Sequence, residues 1–159
     1  EDGRFWKPPT HSEGVQFVEL TVDVETGVVR VQRVIAMQEV GLPVNRMTIE
    51  NQIAGAVIQG ISFALFEDRI LDPQNGAMVN PNMDMYKIAG SQDVPDIEPI
   101  IWKGRDDPGV NSLGEPPVVP MPGAIGCAIA NATGVRVRQM PMTPRRILNA
   151  LAAEEGADR

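Results

Sequence analysis

Alternating apolar and polar residues run from Val18 to Val24, a period of two that predicts a β-strand with one buried face. The next residues, Glu25-Thr26-Gly27, have the composition of a turn. The valine-rich run from Val28 to Met37 then predicts the returning strand, which Gly41-Leu42-Pro43 ends. This part of the chain is therefore expected to form a β-hairpin.

From about Asn45 to Asp68 the apolar period becomes helical. One apolar line recurs at every fourth position: Ile49, Ile53, Val57, Ile61 and Leu65. Asn45 and Thr48 are both suitable N-caps. Because no charged residue lies between Glu50 and Glu67, we predict a buried helix, apolar nearly all round, of about six turns.

A polar stripe interrupts this helix at helical spacing, formed by Gln52, Gly55, Gln59 and Ser62. An unpaired buried amide costs roughly 1–3 kcal/mol, so the stripe must face something polar. Two interpretations are open. The amides bond the backbone of a neighbouring loop, or they hold a polar ligand, and the pattern alone favours the loop.

The following part of the chain is richer in turns, and residues 72–100 contain several Pro and Asn-Gly steps. Within it we expect a short extended piece at Tyr86-Lys87-Ile88. Asp96 to Trp102 predicts a strand, and its proline places that strand at a sheet edge. A polar loop from Lys103 to Asn111 follows.

Small apolar residues dominate from about Met121 to Thr133 and predict a second helix, with Gly134 as its C-cap. Val135 to Met140 is expected to be a short strand. Thr143-Pro144 has the composition of an N-cap and first helical residue, so a last helix is predicted from there through Ala153.

Together these elements predict an α+β fold, with a β-hairpin, a long buried helix, an edge strand and two further helices. Residues 1–14 are expected to be irregular, residues 15–153 to form the folded body, and residues 154–159 to be a frayed polar tail. Because the chain starts at Glu1 rather than Met, we expect a fragment, a processed subunit or a partial chain.

Composition excludes several classes of protein. The 159 residues and 43% hydrophobic content suit a globular domain. A net charge of −7 without a basic cluster argues against nucleic-acid binding. No apolar run approaches the roughly 18 residues that a membrane span requires. We expect a cytoplasmic protein, with the periplasm as the alternative.

The single cysteine and the single histidine provide little basis for a disulfide, a zinc site or a catalytic site. Cys127 lies in an apolar run and is expected to be a small buried residue, since one thiol can form neither an internal disulfide nor a cysteine zinc site. His11 lies close to the irregular N-terminus. A Ser-His-Asp or Cys-His catalytic site would need that histidine and is therefore disfavoured.

Glu115 is the candidate for chemistry. It lies between Gly114 and two prolines, and Pro116 biases it towards an extended conformation. Apolar neighbours would raise its pKa and make it a better base near neutral pH. An equally good interpretation is a glutamate that complements the positive end of the next helix.

The order of the motifs resembles the C-terminal part of the molybdopterin-binding subunit of molybdenum hydroxylases, the xanthine dehydrogenase/aldehyde oxidase family. The resemblance covers nearly the whole chain, from about Val15 to Leu151. It rests on Glu25-Thr26-Gly27, Val44-Asn45, the Gln52, Gly55, Gln59, Gly60 element, Gly114-Glu115-Pro116-Pro117, Ala130 to Gly134, and Met140-Pro141-Met142-Thr143-Pro144.

The resemblance implies an enzyme that hydroxylates a carbon centre with oxygen derived from water. Glu115 matches the family's glutamate, the general base towards the Mo-bound hydroxyl. Gln52 matches a glutamine that contacts the pterin, which favours the ligand interpretation of the stripe. Leu113 and Gly114 match residues that line the metal. Gln59 matches no family role and is expected to be a buried amide.

Further expectations come from the same resemblance. The cofactor would be molybdopterin, in the cytosine dinucleotide form, and it would hold the Mo without a metal ligand from the protein. The chain would pack against the remainder of the molybdenum subunit. Because the chain lacks a four-cysteine set, 2Fe–2S clusters and FAD would lie on other domains or chains.

The sequence departs from the family pattern at two places, and both weaken the inference of a substrate. Where the family has an acidic residue, one further residue and Gly, often after His, this chain has Met37-Gln38-Glu39-Val40-Gly41. The loop before the glutamate, Asn111-Ser112-Leu113, is poorer in glycine. The stretches from Leu71 to Asn82 and at Tyr86-Lys87 resemble bacterial aldehyde-oxidising members, so aldehydes rank first and N-heterocycles second.

Two other classes of function are kept as alternatives. A structural or assembly subunit would retain the fold without turnover, and an unrelated binding domain would be a stable monomer. The presence of both Glu115 and Gln52 favours an enzyme.

Overall fold

The computed structural model describes residues 12–103 and 109–157. His11 and residues 158–159 lie outside these ranges, so the expectations for them, and for most of residues 1–14, concern residues that the structure does not describe. Over these two ranges the chain folds into a three-stranded sheet and three long helices. The predicted α+β class is confirmed.

The predicted hairpin is formed by β1 (Gly14–Val22) and β2 (Val29–Glu39), which pair antiparallel with a bulge at Glu19/Leu20. The chain reverses through a turn in which Gly27 has a φ of 73°. That left-handed conformation is open to glycine because it lacks a Cβ. The predicted hairpin is thus confirmed, with its first strand indicated by alternation, its turn by Glu25-Thr26-Gly27 and its second strand by a run of valines.

The third strand, β3 (Asp96–Trp102), pairs parallel with β2, and the strand order is β1-β2-β3. Pro99 lies opposite Ala36 in this pairing. A proline is tolerated because an edge strand has no further neighbour on its outer side. Among the described strands, the predicted edge position is confirmed.

The long helix α1 (Arg46–Leu65) is N-capped by Asn45, whose side chain accepts a hydrogen bond from the Thr48 N–H at 3.2 Å. One side of α1 is buried against the sheet and the other helices, as predicted. The opposite side carries exposed residues: Asn51, Gln52, Gly55, Gln59 and Phe63. The composition of α1 predicted a helix buried nearly all round. Among the described residues, however, one side of it is left uncovered.

Two more helices complete the fold, α2 (Pro120–Thr133) and α3 (Pro144–Ala157). Gly134 ends α2 with a φ of 80°, as its predicted role of C-cap requires. The short strand predicted between α2 and α3 does not form, and neither does the extended piece predicted at Tyr86. The last helix continues beyond Ala153 to Ala157.

Cys127 is exposed, contrary to the prediction. The buried residues of α2 are Met121, Ile125 and Ile129, which recur every four positions. Cys127 lies two residues after Ile125 and so on the opposite side of the helix. An apolar run identified the helix correctly but did not show which of its sides is covered.

The core lies between the sheet, α1 and α2, and it also receives side chains from α3 and the segment before it. Its members are Val34, Ala36, Ile53, Val57, Ile61, Ala64, Leu65, Met121, Ile125, Ile129, Met142 and Ile147. None of the helices within the described ranges is both long enough and apolar enough to cross a membrane.

Candidate active site

Glu115 immediately precedes a short 3-10 turn, Pro116–Val118, that leads into α2. Its backbone has φ −101° and ψ −14°, near the bridge region, and not the extended conformation predicted from the following proline. The reason is the turn itself, since the Glu115 carbonyl accepts a hydrogen bond from the Val118 N–H at 2.9 Å.

The Glu115 side chain is exposed, so the described residues do not provide the apolar enclosure that was expected around its carboxylate. Its backbone is well supported all the same. Pro117, two residues later, is fully buried, and Val119 donates to the Pro116 carbonyl at 3.3 Å. The arrangement presents a carboxylate to the surface from a turn that is anchored in the core.

Gln52 of α1 lies beside this turn. Its Nε2 donates to the Gly114 carbonyl at 2.7 Å, although the two residues are 62 positions apart in sequence. The structure thus brings together Gln52, Gly114 and Glu115, three residues that the sequence had singled out. Within this chain the Gln52 amide bonds a neighbouring loop, which is the interpretation that the pattern alone favoured.

The rest of the polar stripe divides into two parts. Ser62 is buried, and its hydroxyl accepts a hydrogen bond from the Ala89 N–H at 2.9 Å. Gln59 is exposed rather than buried, and so is Gly55, where an added Cβ would meet no atom within 4 Å. The exposed part of the stripe therefore forms one polar surface with Gln52.

Leu113 and Gly114 take up different positions. The Leu113 side chain is partly buried and packs against the core. Gly114 is exposed, and a Cβ there would have open space around it. Gly114 therefore leaves its backbone open to a group outside the chain, whereas the Leu113 side chain anchors the loop.

Sequence reasoning missed two side chains that hold this loop. Gln16 on β1 donates from Nε2 to the Pro117 carbonyl at 2.6 Å. Glu39, at the end of β2, accepts from the Asn111 side chain at 2.8 and 2.7 Å. Gln16 and Glu39 are both buried polar residues of β-strands, and buried polar groups need hydrogen-bond partners. A polar residue inside the apolar pattern of a strand was the available signal.

The region that had suggested an aldehyde substrate is occupied by contacts within the chain. The Tyr86 hydroxyl donates to Glu67 at 2.8 Å, and this hydrogen bond raises the pKa of Tyr86. The Lys87 ammonium lies 3.8 Å from the centre of the Phe66 ring and 3.4 Å from the Asp93 carboxylate. These side chains stabilise the loop, so they give no information about a substrate.

The family of molybdopterin cofactor-binding domains matches residues 2–95, more than half of the chain. The chain belongs to this family. The matched residues include the hairpin and all of α1, and hence Gln16 and Gln52. The matched part of this family member thus carries two of the amides that hold the Glu115 turn.

Known proteins of two activities resemble this chain. The putative xanthine dehydrogenase molybdenum-binding subunit of Escherichia coli K12 is 37% identical over 137 residues, which cover 84% of this chain and 18% of that subunit. The aldehyde oxidoreductase molybdenum-binding subunit of the same organism is 36% identical over 143 residues, 85% of this chain and 19% of that subunit. The chain therefore spans about a fifth of the length of these relatives.

A solved structure of an aldehyde oxidoreductase also resembles this chain. The aldehyde oxidoreductase from Desulfovibrio desulfuricans superposes with a TM-score of 0.78 at 30% identity, over 87% of this chain and 15% of that chain. The packing of α1 and α2 on the sheet is thus also found in part of an aldehyde oxidoreductase.

The surface beside Glu115 fits the cofactor of the family. A pterin ring carries both N–H donors and a carbonyl acceptor, and a carboxamide such as that of Gln52 can pair with either kind of group. The exposed glycines Gly55 and Gly114 leave room for a flat ring to approach the backbone. Within the described ranges, no three His, Cys, Asp or Glu side chains are grouped as metal ligands.

Proposed function

We propose that this chain forms part of the active site of a molybdenum hydroxylase that oxidises an aldehyde to a carboxylic acid with oxygen from water. Glu115 is its general base. The observation that carries the proposal is the position of Glu115, on a core-anchored turn whose neighbouring carbonyl is bonded by Gln52, in a chain of the molybdopterin-binding family.

The carboxylate of Glu115 accepts the proton of the water-derived nucleophile on one of its Oε atoms. A general base must stand within about 2.6–3.2 Å of the proton's donor atom, and an anchored turn restricts the carboxylate to a small region. In the overall reaction an aldehyde and water give a carboxylic acid, two protons and two electrons. The molybdopterin, when bound, supplies the centre that takes up the two electrons.

Gln52 and Gly114 orient the cofactor in this proposal. The Gln52 Nε2 donates to Gly114, so this exposed residue offers its Oε1 as an acceptor to the pterin. The open backbone of Gly114 allows close approach. Because the Leu113 side chain packs inward, Leu113 contributes to the lining through its backbone. The cytosine dinucleotide form of the cofactor is part of the proposal, supported by the resemblance to bacterial members.

The proposed partners are the remainder of the molybdenum subunit and domains or chains that carry 2Fe–2S clusters and FAD. Two observations support them. Two relatives are named as molybdenum-binding subunits, which indicates multi-subunit complexes. In addition, α1 presents an uncovered side that includes Phe63, a large apolar residue of the kind that packs against another part of a protein.

Hydroxylation of an N-heterocycle is the second candidate. It is favoured by the 37% identity to a subunit named as part of a xanthine dehydrogenase, which is close to the 36% identity to the aldehyde enzyme. The chemistry assigned to Glu115 is the same for both substrates. A subunit without turnover is the third candidate and would bind the cofactor without needing the Glu115 carboxylate.

The test is Glu115→Gln in the native complex, with molybdenum and pterin analysed and both an aldehyde and xanthine offered as substrates. We expect unchanged molybdenum content and a loss of turnover of about 10²- to 10⁴-fold, the usual contribution of a general base. The matched control is Glu25→Gln, an exposed carboxylate in the hairpin turn, which should keep full activity. Normal turnover by Glu115→Gln, or a complex without molybdenum, would contradict the proposal.

A further inference from the structure

Gln16 is a buried amide in a strand, with only 9% of its surface exposed. Its Nε2 donates to the carbonyl of Pro117 at 2.6 Å, a hydrogen bond that joins residues 101 positions apart. Pro117 belongs to the 3-10 turn that Glu115 begins. The first strand of the sheet therefore reaches directly to the turn that presents the proposed base.

The turn has few donors of its own for this carbonyl. A continued 3-10 turn would offer the N–H three residues after Pro117, but that residue is Pro120, which has none. Pro116 and Pro117 lack N–H groups as well. The Pro117 carbonyl is thus held by a side chain from outside the turn, that of Gln16.

The amide has a fixed orientation and an unpaired atom. Turning it over would place Oε1 against the Pro117 carbonyl oxygen, so the donor must face Pro117. In this orientation Oε1 is buried and finds no hydrogen-bond partner among residues 12–103 and 109–157. A buried acceptor without a partner is unfavourable, and an apolar side chain of similar size would avoid it. Stability alone therefore does not explain an amide here.

A second amide holds the other side of Glu115. Gln52 bonds the Gly114 carbonyl, immediately before the glutamate, and Gln16 bonds the Pro117 carbonyl, two residues after it. One amide comes from α1 and the other from β1, which are rigid elements of the core. The backbone of Glu115 is thus fixed on both sides by groups that do not belong to its own loop.

We propose that Gln16 is a positioning residue for Glu115, whose hydrogen bond to Pro117 sets where the carboxylate stands relative to substrate. The proposal rests on the general-base role of Glu115. Loss of the bond leaves the carboxylate present but displaced. Such a displacement lowers the rate of the proton transfer more than it changes substrate binding.

The experiment is Gln16→Met in the native complex, because methionine keeps the length and removes the donor. Gln16→Leu serves as a second donorless variant if Gln16→Met does not assemble. The control is Gln38→Met, a buried amide of the same hairpin that bonds Ser12 and Glu13 instead. For each variant, kcat, KM, molybdenum content and hydrogen exchange of the Val118 and Val119 amides are measured.

We expect kcat of Gln16→Met to fall by about 10- to 100-fold with KM and molybdenum content little changed, as a small misplacement produces. Exchange at Val118 and Val119 should quicken by at least about tenfold, since the turn opens more often. Gln38→Met should change neither. In single-turnover measurements, Gln16→Met should add nothing to the loss already caused by Glu115→Gln, because both act through one carboxylate.

Unchanged exchange at the turn, or a kcat within about twofold of the unaltered complex, would overturn the role of Gln16 while leaving that of Glu115 intact. An equal further loss in the Glu115→Gln background would also overturn it, since Gln16 would then act through the fold as a whole. Normal turnover by Glu115→Gln itself would overturn the proposed function, and the role of Gln16 with it.

Discussion

Asp72 and Glu39 are carboxylates that make the same two kinds of hydrogen bond in two different loops. Each accepts from the backbone N–H two residues later and from the side chain of an asparagine. Asp72 receives the N–H of Gln74 at 2.9 Å and the amide of Asn75 at 2.8 Å. All of its donors lie in its own turn, which local sequence can specify by itself.

Glu39 receives the N–H of Gly41 at 2.9 Å, but its asparagine is Asn111, 72 residues away in sequence. It is also more buried than Asp72. The hydrogen bond to Asn111 exists only after the chain has brought the end of β2 next to the loop that leads to Glu115. The same chemical group thus stabilises a turn in one place and joins distant segments in the other.

The two loops differ as a whole in the same way as these two carboxylates. The loop around Asp72 is closed by its own contacts, including the isolated pairing of Leu71 with Met78. The loop that carries Glu115 depends on side chains of β1, β2 and α1. A loop held by rigid elements can place a functional group accurately, whereas a self-contained loop can vary without affecting the rest.

Gly60→Ala is expected to have the largest effect on stability. A Cβ at Gly60 would overlap Met121 and come within 3.3 Å of the Val118 carbonyl, so α1 could no longer support the Glu115 turn closely. We expect a loss of about 1–3 kcal/mol in the free energy of unfolding, as for other overpacked cores. Denaturant unfolding of the full chain measures it.

Gly55→Ala on the same helix is the matched control, because its Cβ would meet no atom within 4 Å. Alanine is the better helix former, so this variant should gain about 0.5–1 kcal/mol. Equal changes in stability from the two substitutions would contradict the view that glycine is required at position 60 by close packing of α1 against the turn.

Glu39→Gln and Asp72→Asn test the two carboxylates directly and should have an intermediate effect. Glu39→Gln turns an N–H group towards the Asn111 amide, which is itself a donor. It should cost about 1–3 kcal/mol and quicken hydrogen exchange in the loop before Glu115. Asp72→Asn, in a more exposed turn, should cost less than about 1 kcal/mol.

Turnover of the native complex provides a second measurement for this pair. Glu39→Gln should lower kcat because the loop that leads to the base is loosened, and Asp72→Asn should leave it unchanged. Equal effects on kcat would show that turnover does not depend on whether a loop is held by distant side chains, as that of Glu115 is, or by its own contacts, as that of Asp72 is.

The smallest effect is expected at another self-contained turn, that of the hairpin. Hydrogen bonds from the Thr26 side chain and from the N–H groups of Glu25 and Thr26 lower the pKa of Asp23 from 3.8. Its contribution to the turn is therefore present above that value and is lost as the pH falls through the lower pKa of the folded state.

Amide exchange of Gly27 followed from about pH 5 to pH 2 measures this loss, after correction for the intrinsic pH dependence of exchange. Asp23→Asn keeps an acceptor oxygen but does not titrate, so the dependence should disappear in that variant. A turn that opens identically with pH in both proteins would contradict the role of the Asp23 carboxylate.

Much of the fold could be predicted because it follows from local patterns. Alternation, turn residues and a valine-rich run predicted the hairpin, the four-residue period predicted α1, and Pro99 placed β3 at an edge. The errors arose where a neighbour decides the outcome. Residues from Val135 to Met140 have the composition of a strand but find no partner strand within the described part of the chain, and Cys127 lies on the side of α2 that the core does not cover.

The candidate site divides in the same way. The sequence by itself determined the hairpin, the helices and the edge strand, the family and the candidate base Glu115, because motifs and periodicity are properties of neighbouring residues. Only the tertiary structure decided how Glu115 is held. The hydrogen bonds from Gln16 and Gln52 join positions 101 and 62 residues apart, and no local pattern can specify which of many buried or exposed amides will meet that turn once the sheet and α1 have packed.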